Sequence, residues 1–176
     1  AQAWTEEATA GSHRGAANVV EITLQGPEFK FSCVRVATGT GERRSRLLGG
    51  SFDVKVRLAV PLSRADTGGL KEAVSVECRR LAERVLVPER AGVKLSRAAG
   101  QVLVACEDGV RFQLPEEDCL VLPIAGTTQA ELAGAIWEAV AASSAAGSLR
   151  SCGAQWMEVS VGEASSGDAS YRRAWA

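Results

Sequence analysis

Between Ser51 and Pro61 the chain alternates with a period of two. Phe52, Val54, Val56, Leu58 and Val60 fall on one face, and Asp53, Lys55 and Arg57 on the other. No other stretch limits the fold as strongly. Strict alternation specifies a strand with one buried and one solvated face, the habit of antiparallel sheets; parallel sheets covered on both sides read as unbroken apolar runs. The apolar face must be covered by a second layer.

The sequence also supplies that layer. From about Asp66 to Val87, the residues Leu70, Val74, Cys78, Leu81 and Val85 recur at helical steps, an apolar stripe that Pro88 would stop. A second helix is predicted over about Gln129 to Ala142, with Leu132, Ile136, Trp137 and Val140 inward. Thr128 followed three residues later by Glu131 is the capping-box spacing. Val20, Ile22 and Leu24, then Phe29, Phe31, Cys33 and Val34, mark two strands separated by Gly26-Pro27. Thr38 to Arg46 reads as a polar loop. Short strands follow within 93–122, with Glu107-Asp108-Gly109 as a turn. After a Ser/Ala/Gly loop, Trp156 to Gly162 alternates again as a final strand. Helices inserted between such strands predict an α+β sandwich: an antiparallel sheet with two helices packed on one face. Residues 1–15 carry no apolar period and read as a flexible N-terminal segment, which leaves 16–176 as a single domain.

Composition removes several function classes. Twenty basic and 21 acidic side chains leave a net charge of −1, without the basic surplus that nucleic acid requires. No run approaches the roughly 20 apolar residues of a membrane helix. A single histidine, His13, cannot make a multi-histidine metal site. Cys33, Cys78, Cys106, Cys119 and Cys152 lie far apart with no C-x-x-C pair, and read as free thiols packed as small hydrophobes. Trp137 belongs to the second helix's core, whereas Trp4 and Trp175 lie in the tails, where large aromatics suit docking onto a partner. The chain starts on Ala1, as either a fragment or a chain relieved of a transit peptide would; the second reading places the expected location in an organelle, mitochondrion or plastid, ahead of the cytoplasm.

Six local words in order then resemble the 6-pyruvoyl-tetrahydropterin synthase and 6-carboxy-tetrahydropterin synthase family. They are Phe31 to Val36, Leu48-Gly49-Gly50-Ser51-Phe52, Asp66 to Lys71, Leu81-Ala82-Glu83-Arg84 running on to Val87-Pro88-Glu89-Arg90, Leu122-Pro123-Ile124 with Thr127 to Glu131, and Val161-Gly162-Glu163-Ala164 with Tyr171. The resemblance covers about residues 28–175 and implies the tunnelling fold.

It also implies a site, most of whose chemical groups are exchanged here. Where the family holds zinc with three histidines, this chain has Arg35, Leu48 and Gly50; its cysteine position reads Arg44, and its Asp-His relay reads Ala82 and Glu83. Leucine and glycine offer no ligand atom, and arginine is a permanent cation. No metal, cofactor or catalytic residue is therefore expected. Glu42 and Glu83 are carboxylates that would have to replace the base, although each reads as a solvated surface glutamate. Glu163 matches the glutamate that accepts hydrogen bonds from a pterin, and Thr128 and Glu131 match the substrate-site word, so these three form a substrate-binding remnant. Arg35, Arg43, Arg44 and Arg46 would flank the site and suit an anion. The expected function is a non-catalytic pterin synthase-like subunit, partnered with protein subunits in a homo-oligomer or a larger complex. A divergent pterin synthase, or a binder of pterin or purine-like molecules through Glu163, is the alternative.

Overall fold

The computed structural model describes residues 18–39, 41–64, 66–163 and 166–175, with the backbone of Ala8–Ala10. His13, Trp4 and Ala164, and all of residues 1–15 except 8–10, lie outside the described residues. The elements run β1 (Ala8–Ala10), β2 (Val19–Leu24), β3 (Lys30–Ala37), β4 (Arg46–Pro61), α1 (Gly68–Leu81), β5 (Val85–Pro88), β6 (Lys94–Ala98), β7 (Gln101–Ala105), β8 (Arg111–Pro115), β9 (Cys119–Leu122), α2 (Gln129–Ala141), α3 (Ser144–Ser151), β10 (Trp156–Glu163) and β11 (Gly167–Ala174).

The alternating strand, β4, is the spine of an eight-stranded sheet. Its first half pairs with β3 and its second half with β2, while β10 runs along its other edge and carries β11 outside it. Phe52, Val54, Val56, Leu58 and Val60 are all buried, and meet Leu70, Val74 and Cys78 of α1 and Leu132 and Ile136 of α2 in the main core. Trp137 is buried too, its indole N–H donating to the Met157 carbonyl at 2.9 Å. Trp175 was expected to face a partner; it packs, partly buried, against the chain's own core. The segment 1–15, expected to be a flexible terminus, contributes the strand β1, paired antiparallel with β2.

Several elements depart from the sequence reading, each for a physical reason. The first helix ends at Leu81, not near Val87. Ala82 turns extended and Glu83 takes a left-handed φ of 59°. The chain is then captured by β3, with Glu83 N–H donating to Ser32 O and Val34 N–H to Arg84 O. Val85, the last residue of the helical stripe, thus belongs to a strand. The sheet is also not wholly antiparallel, since β3–β5 and β5–β9 pair in parallel. Parallel pairs need cover on both faces, and a small sheet, β6–β7–β8, provides it. Val102 and Val104 of β7 pack with Val36 and Val87 in a second core, whereas Leu86 and Leu122 face the helix-covered one.

The Ser/Ala/Gly stretch expected to be a loop is the third helix, α3. Ser143 caps it by accepting from Ala146 N–H at 3.2 Å, and Ala146 and Leu149 are buried. Finally, β10 is followed by the eight-residue β11, whose Tyr171 meets the Trp137 ring edge-on. No helix among the described residues is long and apolar enough to cross a membrane.

Leu58→Ala, fully buried in the second half of β4, is expected to lower stability by about 2–5 kcal/mol. Val76→Ala, on the exposed side of α1, should stay within about 0.5 kcal/mol. Urea denaturation of both variants checks this.

Candidate functional site

Sheet register brings the exchanged positions together. Arg35 lies opposite Leu48, Cys33 opposite Gly50, and Glu163 opposite Phe52. Because alternate residues share a face, Arg35, Leu48, Gly50, Phe52 and Glu163 all project to the helix-covered side, where β3, β4 and β10 run beyond the main core.

Arg35 organises the centre. Its Nη2 stands 3.6 Å from Glu163 Oε2, with the two side chains only 16 % and 22 % exposed. Nη1 donates to the Thr127 carbonyl at 3.0 Å, and the guanidinium lies 5.2 Å from the Phe52 ring centroid. Among the described residues its Nε is buried without a partner. Thr127 is itself tied down, its hydroxyl donating to Val36 O at 2.9 Å. A Cβ added to Gly50 would stand 2.7 Å from Glu163 Oε1, so glycine there leaves the space that the glutamate fills.

The zinc implied by the resemblance does not fit these residues. Leu48 and Gly50 have no donor atom, and the third position holds a permanent cation already engaged with a carboxylate. Cys33, the thiol nearest the pair, is no substitute: burial, joined by the Glu163 charge and opposed by that of Arg35, pushes it up to about 11. It stays protonated at neutral pH, and thiolate is the reactive form.

The four arginines converge as expected. Arg35, Arg43, Arg44 and Arg46 line a cleft of about 420 Å³ with Leu48, Thr127, Thr128 and Glu131. Thr128 does two things there: it lines the cleft and caps α2, accepting from Glu131 N–H at 3.3 Å. Of the two carboxylates weighed as replacement bases, Glu42 is exposed on the loop. Glu83 opens onto a different cleft, with Ser32, Gly50, Ser51 and Asp118.

One residue escaped the sequence reading. Asp108, in the β7–β8 turn, accepts Ser45 N–H at 2.5 Å, and Ser45 Oγ in turn accepts Gly39 N–H at 2.8 Å. The hairpin of the small sheet therefore fixes the arginine loop. Only its Asp-Gly turn spelling was legible; the 63-residue separation from Ser45 was not.

No family model and no curated protein matches the sequence. Solved structures do. The 6-pyruvoyltetrahydropterin synthase of Plasmodium vivax superposes with a TM-score of 0.81 and 24% identity, over 89% of this chain and 99% of that chain. The fold is that of a 6-pyruvoyltetrahydropterin synthase. The Plasmodium falciparum synthase matches over the same shares with TM-score 0.81 and 23% identity. Two further Plasmodium vivax structures are variants at a glutamate that their descriptions designate a catalytic residue. In this synthase-like fold the expected tunnelling architecture holds, with the third helix and the parallel pairings added.

Asp108 also makes the loop acid-sensitive. The Ser45 backbone N–H holds its carboxyl below the usual range, helped by Val110 N–H and the Arg44 charge and opposed by desolvation. A carboxyl depressed in the fold stabilises above its unfolded value and loses that contribution as pH falls through the folded one. Asp108→Asn should therefore unfold at lower urea than the parent at neutral pH, and the gap should close below about pH 4, as read from urea midpoints across pH.

Proposed function

We propose that this chain is a non-catalytic pterin synthase-like protein that serves as a structural or interaction subunit of an oligomer or larger complex. The observation that carries the reading is the Arg35–Glu163 pair at 3.6 Å. Lewis-acid chemistry needs a cation held by neutral or anionic donors, with an open position for substrate. Here a fixed cation belonging to the protein takes that role's space, and the glutamate with the pterin-acceptor position is its counter-ion. A carboxylate already paired with a guanidinium gains less from a neutral N–H edge than a free one does.

Sheet edges support the subunit half of the proposal. Among the described residues β11 forms one edge of the sheet, an eight-residue strand whose outer backbone groups have no neighbouring strand. Exposed edges invite pairing with another chain, and a symmetric ring of copies would satisfy them.

One observation favours a second reading. The Plasmodium vivax structures whose descriptions name a catalytic glutamate indicate that this fold can use a carboxylate in catalysis; Glu131 lines the cleft, and Glu163 is held against Arg35 beside it. Under that reading the chain is a divergent pterin synthase or pterin binder acting through Glu163. Calorimetric titration with a pterin separates the two. Binding that is lost in Glu163→Ala supports the second reading, and no binding by the parent removes it.

The subunit proposal is tested by size-exclusion chromatography with light scattering on the protein at native abundance. It predicts a particle of at least twice the 18.4 kDa chain mass. An 18.4 kDa monomer across that concentration range contradicts it.

A further inference from the structure

We infer that a groove on the outer side of α2, between the end of β9 and Tyr171 of β11, is a binding site for an amphipathic carboxylate: a small molecule with an apolar chain and one anionic end. The inference goes beyond the subunit proposal and does not rest on it, since a protein without chemistry of its own can still hold a ligand. The groove is separate from the arginine cleft and shares with it only Thr128 and Glu131, at the start of α2.

Shape is the first argument. The groove encloses about 710 Å³, within the range of small-ligand sites. Leu122 and Ile124 form one side, and the partly buried Ala135 and Ala139 of α2 face it. A surface helix ordinarily carries long polar side chains away from the core; here none fills the space. From Ala130 to Ala139 the groove follows α2 for about 14 Å, room for an extended apolar chain of medium length.

Preorganisation is the second. Tyr171 meets Trp137 edge-on, with ring centroids 5.9 Å apart. A Cβ added to Gly134 would stand 3.6 Å from the Tyr171 ring, so the ring lies close against the helix as a fixed wall. Arg80 is held by two hydrogen bonds to Glu77, at 2.8 and 2.6 Å, and the Glu77 side chain is only 8 % exposed. Arg90 is anchored through its backbone, its N–H donating to Ile124 O at 2.9 Å.

Charge selects the head group. Arg80, Arg90, Glu131 and Glu138 are the ionic side chains of the groove. Arg80 is paired with Glu77, and Glu138 with Arg173 at 2.7 Å. Glu131 also lines the arginine cleft, where four guanidiniums outweigh it. Arg90 is left as the cation of the groove without an ion-pair partner among the described residues. Its guanidinium matches a carboxylate two oxygens at a time, while the chain behind that carboxylate leaves water along the apolar walls.

The test is isothermal titration of the full chain with octanoate. Saturable binding is expected. Octanol keeps the chain without the charge, acetate the charge without the chain, and each should bind at least about tenfold more weakly. Arg90→Gln should bring octanoate down to the affinity of octanol, and Ala139→Leu, which fills the groove, should weaken both. The triple variant Arg43→Gln, Arg44→Gln, Arg46→Gln should bind octanoate as the parent does. A second measurement needs no variant. Tyr171 is the only tyrosine of the chain, and octanoate should slow its nitration by tetranitromethane, read by peptide mass, whereas acetate should not. Absence of saturable octanoate binding overturns the inference, as does parent-like affinity in both Arg90→Gln and Ala139→Leu. Loss of binding in the triple variant would put octanoate in the arginine cleft and overturns it too. So does a nitration rate at Tyr171 that octanoate leaves unchanged.

Discussion

Register along β4 is the constraint on which the rest depends. This 16-residue strand pairs with β2 and β3 on one side and with β10 on the other. A slip of one residue would turn Phe52, Val54, Val56, Leu58 and Val60 away from the helices and expose the main core to water. The same register sets Arg35 against Leu48 and Glu163 against Phe52. Core and cleft are therefore one decision: the strand that buries the apolar face also delivers the charged pair at its end.

What that delivery produces is a site whose sign is opposite to that of a metal-ligand set. A histidine cluster is neutral until it captures a cation. Arg35 brings the cation with it and cannot lose its proton. Glu163, only 22 % exposed, gains a fixed partner, and the pair is steadied by the Thr127 carbonyl and the Phe52 ring. Around it the exposed arginines extend the positive field to the surface. The synthase-like fold thus carries an arginine-lined cleft with an electrostatic character of its own.

How much of this could be read from residues alone follows the range of the forces involved. The β4 pattern and the α2 cap were legible, because alternation and capping are local. Burial of Cys33, Cys78 and Cys106 follows from their place in apolar faces. The end of α1 was not legible. Its apolar stripe runs on to Val85, and only capture of residues 83–84 by β3 breaks it. Likewise β5 and β9 are too short to announce themselves, and their parallel pairing depends on a small sheet arriving from elsewhere to cover Val87. α3 hid in low-complexity sequence, since alanine and serine spell both linker and capped helix. In the cleft, the convergence of four arginines was expected from the resemblance. The pairing of Arg35 with Glu163 across 128 residues, and of Ser45 with Asp108, required the tertiary structure.

The proposed non-catalytic role rests on the Arg35–Glu163 pair standing at positions that the resemblance assigns to a metal centre. Elemental analysis of the purified chain, after equilibration with zinc and removal of excess, tests this most directly. Far less than one zinc per chain is expected in the parent, and no gain in Glu163→Ala. One equivalent of tightly held zinc in the parent would contradict it.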